Sequence, residues 1–301
     1  MSRLPEISPA LAARLTTHLI DDAAVFPPGN MPIPTAVADH RAHHRQWYSD
    51  LVGPLLIPAT RVKDFTESLG AGAIGSADPV RAVLIAGRDT HSAVDGLGLA
   101  LLQQARNLLV DDDRVDVVGI EVALPEFEDM GALTRELLDQ LSFGVPAAIE
   151  IAPTAGWERA LDVLAEDGAE RAKFRTGGST PADTPTDSAV AAFLSACVSR
   201  SLPFKLTAGL HHAVRRGEAD SPEHGFLNML AATSALIDGA SDREATAIVA
   251  NPDVATLLEV LVRGDARESR RLFTSYGSCS MVEPLDDLCA LGILRRPHEG
   301  G

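Results

Sequence analysis

Short apolar segments alternate with longer amphipathic segments along most of the chain. The clearest example begins with AKFRTGG at 172–178, continues with an amphipathic run over 186–200, and ends with LPFKLTAGLHH at 202–212. A short strand, a glycine break, a helix and a second strand make a βαβ unit, which is typical of a parallel sheet. The pattern therefore indicates an α/β protein.

The same alternation recurs on both sides of this unit. Further strands are predicted at 23–26, 51–59, 80–87, 115–124, 145–152 and 271–278. Helices are predicted at 8–20, 34–50, 62–69, 94–109, 130–141, 156–167, 186–200, 225–239 and 284–291, with two helical segments within 243–263 around Asn251-Pro252. Eight βα units of this spacing predict a (β/α)8 TIM-type barrel.

This barrel would carry a short N-terminal helix and a helical insertion before its last strand. We expect residues 1–301 to form a single domain, because no linker or low-complexity segment divides them. An open doubly wound sheet is the alternative. That fold is disfavoured because no glycine-rich phosphate turn follows an early strand.

Composition and net charge indicate which classes of partner and which cellular compartment are expected. The net charge of −16 disfavours nucleic acid and anionic membrane surfaces as partners. Three cysteines are too few for a disulfide framework and favour a reducing compartment. The N-terminus lacks a secretory signal, and no apolar run approaches the roughly 20 residues that span a bilayer. We therefore expect a cytoplasmic protein, with a homo-oligomer left possible.

Five charged residues interrupt strands that are otherwise apolar or small: Glu121, Glu150, Lys173, Arg175 and Lys205. In a (β/α)8 barrel the active site lies at the C-terminal ends of the strands, so these groups are the first candidates for a site. One interpretation is a charge network that fills the barrel. The other is a binding site, because three cations face two carboxylates and the surplus cation favours a small anionic ligand.

Glycine-containing segments after the last three strands support an anion site, because their backbone N–H groups can face a ligand. Tight βα turns that need no ligand are the alternative. The predicted substrate-binding residues are Arg175, Thr176, Gly177, Gly178, Thr207, Gly209, Tyr276, Gly277, Ser278 and Cys279. Cys279 could also be a nucleophile or a buried thiol.

Histidines and acidic residues leave several assignments open. His211 or His212 could serve as an acid or base, or could bind a divalent metal with Glu121 and Glu150. The nearby lysines oppose a cation, so no metal or other cofactor is required, although a divalent metal is possible.

A second histidine group, His40, His43 and His44, is predicted to lie on a solvated helix face because arginines are interleaved with it. Asp21 and Asp22 belong either to the rim of the site or to a capped turn.

The leading hypothesis is a lyase, aldolase or isomerase acting on a small carboxylated or phosphorylated carbonyl compound. Lys173, with cationic neighbours that lower its pKa, would act as a base or form a Schiff base, and Lys205 is the alternative nucleophile. Arg175 would hold the anionic group. Glu121 or Glu150 would carry the proton, assisted by His211 or His212.

Two other classes stay open. One is a metal-dependent hydrolase or isomerase that uses Glu121, Glu150 and either His211 or His212. The other is a barrel that binds a small anion without turnover.

Overall fold

Eight parallel strands close into a barrel, and helices connect them. The computed structural model describes residues 4–70, 78–86, 98–178, 184–218 and 221–297. The barrel strands are β1 (Ile20–Asp22), β2 (Val52–Pro58), β3 (Val80–Ile85), β4 (Val115–Ala123), β5 (Ala147–Glu150), β6 (Arg171–Arg175), β7 (Phe204–Thr207) and β10 (Phe273–Ser278). Their order around the barrel is β1-β10-β7-β6-β5-β4-β3-β2, so the predicted (β/α)8 barrel is confirmed.

The helices follow the predicted alternation. They are α1 (Pro9–Thr16), α2 (Ile33–His43), α3 (Val62–Ser68), α4 (Leu99–Leu109), α5 (Met130–Gln140), α6 (Trp157–Asp167), α7 (Asp187–Ser199), α8 (Phe226–Ile237), α9 (Asp242–Val249), α10 (Val254–Arg263), α11 (Ala266–Leu272) and α12 (Val282–Ala290). Residues 94–97 of one predicted helix lie outside the described residues. In the described part of the chain, none of the helices has the length and apolar character needed to cross a bilayer.

Side-chain caps explain several of the helix starts. Ser8, Asp129 and Thr186 each accept a hydrogen bond from a backbone N–H in the first turn of α1, α5 and α7. At α9, Ser241 and Glu244 form a reciprocal capping box. These local signals fix where the chain leaves a loop, so the helix starts agree closely with the sequence pattern.

The first strand lies earlier than the sequence pattern indicates. The prediction of 23–26 is wrong, because β1 pairs through Ile20 with Tyr276 and through Asp21 with Gly277. Apolar character at 23–26 suggested a strand, and the two aspartates suggested a loop. In the structure Asp21 belongs to β1. Its carboxylate can be buried there because it accepts a hydrogen bond from Lys205 inside the barrel.

The insertion before the last barrel strand is larger than expected. It contains a third helix, α11, and β10 begins two residues after the predicted start at 271. A two-stranded hairpin, β8 (Arg216–Glu218) and β9 (Ser221–Glu223), precedes α8 and was not predicted.

One apolar cluster extends from Ile7 to Ile293. That all 301 residues form one domain stays a prediction.

The prediction of a solvated face for the histidines of α2 is wrong for His40, which is 1% exposed. Its spacing from Ile33, Ala36 and Val37 places it on the buried face of the helix. His40 Nδ1 lies 3.0 Å from Asp22 Oδ2, so the outward-facing carboxylate of β1 supplies the polar partner that burial requires.

Aromatic rings on the outer faces of β6, β7 and β10 form the core beneath α7. The ring of Phe193 on α7 lies 4.6 Å from that of Phe174 and 5.7 Å from that of Phe204, and the ring of Phe204 lies 5.4 Å from that of Phe273. Because side chains alternate along a strand, Phe174 and Phe204 point outward and the lysines beside them point into the barrel. Helix packing therefore fixes which residues reach the interior.

We expect Phe193→Ala to lower the free energy of unfolding by about 3–5 kcal/mol, because it removes a fully buried ring from this stack. Urea denaturation monitored by circular dichroism measures the change. Phe127→Ala is the matched control, since Phe127 is 45% exposed and its loss should cost less than about 0.5 kcal/mol. Equal effects from the two variants would contradict the assigned packing.

Candidate active site

Polar side chains from six strands meet inside the barrel, and the strand register explains why. Glu150 on β5 is in register with Lys173 on β6, and Lys173 is in register with Lys205 on β7. Lys205 is in turn in register with Ser275 on β10. Residues in register point to the same side of a sheet, so all four side chains face the interior. Carboxylates from β1 and β4 complete the set.

Glu121 on β4 is the centre of this arrangement. The Lys173 ammonium donates a hydrogen bond to Glu121 Oε2 at 2.6 Å, and the Lys205 ammonium donates to Oε1 of the same carboxylate. Lys173 Nζ also lies 2.9 Å from Glu150 Oε2. Lys205 also donates to Asp21 Oδ2 at 2.5 Å. We call Asp21, Glu121, Glu150, Lys173 and Lys205 the interior network, in which each lysine bridges two carboxylates.

The members of the interior network are buried, whereas Arg175 beside them is exposed. Arg175, the last residue of β6, places Nε 3.4 Å from Glu150 Oε1, and its side chain is 51% exposed. The side chains of Glu150 and Lys173 are 7% and 6% exposed, whereas that of Glu121 is 1% exposed. Arg175 is therefore the exposed charged side chain next to the buried Lys173–Glu150 pair.

Asp21 changes the charge balance that the sequence indicated. Two carboxylates were expected against Lys173, Arg175 and Lys205, but Asp21 joins them and makes three against three. The argument from a surplus cation is therefore wrong. Its error follows from the first strand, because a loop placement for Asp21 kept that carboxylate out of the barrel interior.

Electrostatic interactions within the interior network favour the charged forms of Glu121 and Lys205. Burial alone would raise the pKa of Glu121, but the ammonium groups of Lys173 and Lys205 outweigh burial and lower that pKa to about 2. Burial would lower the pKa of Lys205, but Asp21 and Glu121 outweigh it and raise the pKa.

The loops after β6 and β7 pack against each other through backbone. The Thr176 hydroxyl donates to the carbonyl of Ala208 at 2.5 Å, and Thr176 itself is 1% exposed. A Cβ atom at Gly177 would lie 2.9 Å from the Cα of Gly209, so only glycine permits this approach. These residues shape the site without facing a ligand with their side chains. Gly178, which follows, is exposed.

Thr207 and Gly277 occupy the interior layer above the interior network. A Cβ atom at Gly277 would lie 3.5 Å from Thr207 Oγ1, which places the two residues face to face across neighbouring strands. Both are small, and the side chain of Leu56 packs close to Gly277. Their assignment to substrate binding stays a prediction.

The structure places Tyr276 away from the barrel interior. Its ring stacks on that of Phe226 on α8 at 5.2 Å, on the outer face of β10, and burial raises the pKa of its hydroxyl. Ser275 and Gly277 face inward, so alternation along the strand directs Tyr276 outward. We therefore withdraw Tyr276 from the substrate-binding residues.

The segment after β10 forms a local turn. The Ser278 hydroxyl donates to the carbonyl of Ser280 at 2.6 Å, so it stabilises the turn. Cys279 Sγ lies 3.9 Å from His211 Nδ1, which brings together the thiol and histidine that the sequence singled out. Burial raises the pKa of the Cys279 thiol, so the reactive thiolate is disfavoured.

His212 belongs to a different group of contacts. Its Nδ1 lies 3.2 Å from Asp287 Oδ2 on α12, and its Nε2 lies 3.2 Å from Arg216 Nη1. Within the described residues, neither His211 nor His212 has a hydrogen bond or ion pair to the interior network. The same part of the chain contains no group of three or more His, Cys, Asp or Glu side chains arranged to hold a metal ion. The metal-dependent alternative therefore has no ligand set there.

The scarcity of lysine is a sequence signal that could have identified the buried bases. The chain contains only three lysines, Lys63, Lys173 and Lys205, among 26 basic residues. Lys63 is exposed on α3, and the other two are the buried bases of the interior network. Arginine is thus the usual surface cation here, and a lysine within a strand marks the interior. Ser275 was missed because the strand register that aligns it with Lys205 is a tertiary feature.

No family model matches this chain, and no curated protein matches it either. The interpretation of the interior network therefore depends on its geometry and electrostatics.

Replacing Glu121 tests the centre of the interior network. We expect Glu121→Gln to lower the free energy of unfolding by about 3–5 kcal/mol, because two buried ammonium groups lose their shared carboxylate. Urea denaturation at pH 7 measures the loss. Glu136→Gln, the same chemical change at an exposed position of α5, is the control and should alter stability by less than about 0.5 kcal/mol. A neutral Glu121→Gln would show that the lysines do not depend on this carboxylate.

The depressed pKa of Glu121 also predicts an acid response. Its pKa falls from an ordinary 4.5 to about 2 on folding, so its ionised form stabilises the fold above pH 4.5. We expect this stabilisation to be lost as the pH falls from 4.5 toward 2. Unfolding curves over this range should fall more steeply for the wild type than for Glu121→Gln. Parallel curves would contradict the assignment.

Proposed function

We propose that the protein is a lyase, aldolase or isomerase that acts on a small carbonyl compound carrying a carboxylate or phosphate. One observation supports this most: the Lys173 ammonium lies between two carboxylates of the interior network, next to the exposed Arg175. A basic nitrogen with adjacent proton acceptors is what imine formation and carbon-acid chemistry both require.

An ionic barrel interior is not needed for stability. Well-packed apolar residues of similar volume are often as stabilising as a buried ion pair or more so. Five charged side chains are nevertheless buried here, with exposed fractions between 1% and 7%. Clusters of ionisable groups in a cleft are more frequent at functional sites, and this favours catalysis.

Lys173 is the better nucleophile of the two lysines. The raised pKa of Lys205 keeps it protonated as a fixed cation that orients Glu121. Lys173 has Glu150 beside it, whereas Glu121, with a pKa of about 2, is a poor proton acceptor. We therefore assign proton transfer to Glu150.

The first steps follow from these roles. The Lys173 ammonium gives a proton to Glu150, and the free amine adds its electron pair to the carbonyl carbon. The C=O π bond breaks, and the carbonyl oxygen takes a proton from the attacking nitrogen to become a hydroxyl. Glu150 returns the proton to the resulting hydroxyl, which leaves as water, and a protonated imine remains on Lys173. That imine accepts the electron pair released when an adjacent C–H or C–C bond breaks.

Arg175 is assigned to the anionic group of the substrate. Half of its side chain is open to solvent above Glu150, and a guanidinium pairs with carboxylate and phosphate in a bidentate geometry. Binding there would place the carbonyl beside Lys173, which lies two residues earlier on the same face of β6.

A second function is a barrel that binds a small anion without turnover. The equal numbers of carboxylates and cations favour it, because a fully paired interior network is also what a structural network would show. In that case Arg175 alone would determine affinity, and the lysines would contribute only to stability.

Borohydride trapping separates the two functions. We expect incubation with a panel of 2-oxo acids and phosphorylated aldehydes and ketones, followed by sodium borohydride, to add one substrate mass to Lys173. Peptide mapping by mass spectrometry is simple because the chain has only three lysines. Lys173→Met should abolish the adduct and any turnover of the trapped compound.

Lys63→Met is the control, since Lys63 is exposed on α3 and should leave the adduct unchanged. An adduct on Lys205 would reassign the nucleophile. No adduct with any compound would rule out the imine, and slow C–H exchange with deuterated water would then be the test of Lys173 as a base.

A further inference from the structure

A cavity of about 180 Å³ enters the barrel from the end opposite to Arg175. Its lining includes His18, which precedes β1, Pro146, which precedes β5, and Arg171, the first residue of β6. These positions are the N-terminal ends of strands, whereas catalytic sites in barrels lie at the C-terminal ends. The cavity is therefore separate from the proposed substrate mouth.

The interior network forms the closed end of this cavity. Asp21, Glu121 and Lys205 line it, so the cavity stops where the buried ion pairs begin. The charges of these three groups are satisfied by one another and by Lys173. An occupant therefore has to find its main partners nearer to the entrance.

Two arginines line the cavity from different strands. Arg81 lies on β3 and Arg171 on β6, and neither has a hydrogen bond or ion pair to another described residue. Glu170, the carboxylate next to Arg171, accepts a hydrogen bond from the backbone of Ala147 instead. Asp116, the register partner of Arg81, makes no ion pair with it within the described residues.

The lining is cationic in a strongly acidic chain. It contains three cationic and two anionic side chains, while the whole chain has a net charge of −16. A cavity lined by an excess of cationic side chains is an environment in which a small anion binds.

We propose that this cavity binds a small anion through Arg81 and Arg171, in addition to any anion held by Arg175. The ligand class is a phosphate or a short carboxylate, because arginine pairs with both in the same bidentate geometry. A cavity of this volume is smaller than the roughly 300 Å³ at which pockets for drug-sized ligands begin, so the ligand is a small one.

The proposed site does not depend on the chemistry at Lys173. Its residues and Arg175 lie at opposite ends of the barrel, so the two anion sites can be separated by mutation. Every titration uses the Arg175→Gln variant as the parent protein, so that anion binding by Arg175 does not contribute to the measured affinity.

Isothermal titration calorimetry of the Arg175→Gln protein with sodium phosphate, and separately with sodium malonate, tests the proposal at low ionic strength and pH 7. We expect saturable binding of at least one of the two anions. Adding Arg81→Gln or Arg171→Gln should weaken that binding by roughly tenfold each, because each removes a charge-assisted hydrogen-bond donor.

Arg135→Gln in the same parent is the matched control, since Arg135 is exposed on α5 and its loss changes the net charge equally. It should leave the affinity unchanged. If Arg171→Gln disturbs folding, as judged by circular dichroism, the test is the comparison of Arg81→Gln with Arg135→Gln, because Arg81 is exposed. Absence of saturable binding in the parent, or equal weakening by Arg81→Gln and Arg135→Gln, would overturn the proposal.

Discussion

The carboxylate of Glu121 binds the ammonium groups of both buried lysines, and the interior of the barrel depends on this pair of contacts. A buried ion without a partner is among the most costly features a fold can contain. Glu121 stands on β4, whereas Lys173 and Lys205 stand on β6 and β7. The contact therefore requires the register of these strands and the closure of the barrel to be correct together.

This constraint divides the barrel into two ends with different properties. Toward the C-terminal ends of the strands, the side chain of Arg175 is half exposed to solvent above the Lys173–Glu150 pair. Toward the N-terminal ends, a cavity reaches the other side of the interior network between Arg81 and Arg171. The interior network thus separates the exposed Arg175 from the cavity at the other end of the barrel.

Period-two alternation in AKFRT and FKLT was enough to place Lys173, Arg175 and Lys205 on one face, because neighbouring phenylalanines had to face the helices. The same alternation, applied to β10, would have excluded Tyr276. It was not applied because glycine and serine at 275–278 carry no apolar signal that fixes the inward face. His40 was misplaced for a related reason, since its partner Asp22 lies 18 residues earlier in the chain.

The sequence alone determined the alternation of strands and helices in eight βα units and identified Glu121, Glu150, Lys173, Arg175 and Lys205 as charged residues within or at the end of apolar strands. These follow from local periodicity and capping, which act over a few residues. Only the tertiary structure decided that Asp21 belongs to a strand and balances the charges, that Gly177 and Gly209 pack against each other, and that a cavity lies beneath Lys205. Such features depend on contacts between residues far apart in the chain, and no local pattern encodes the distance between them.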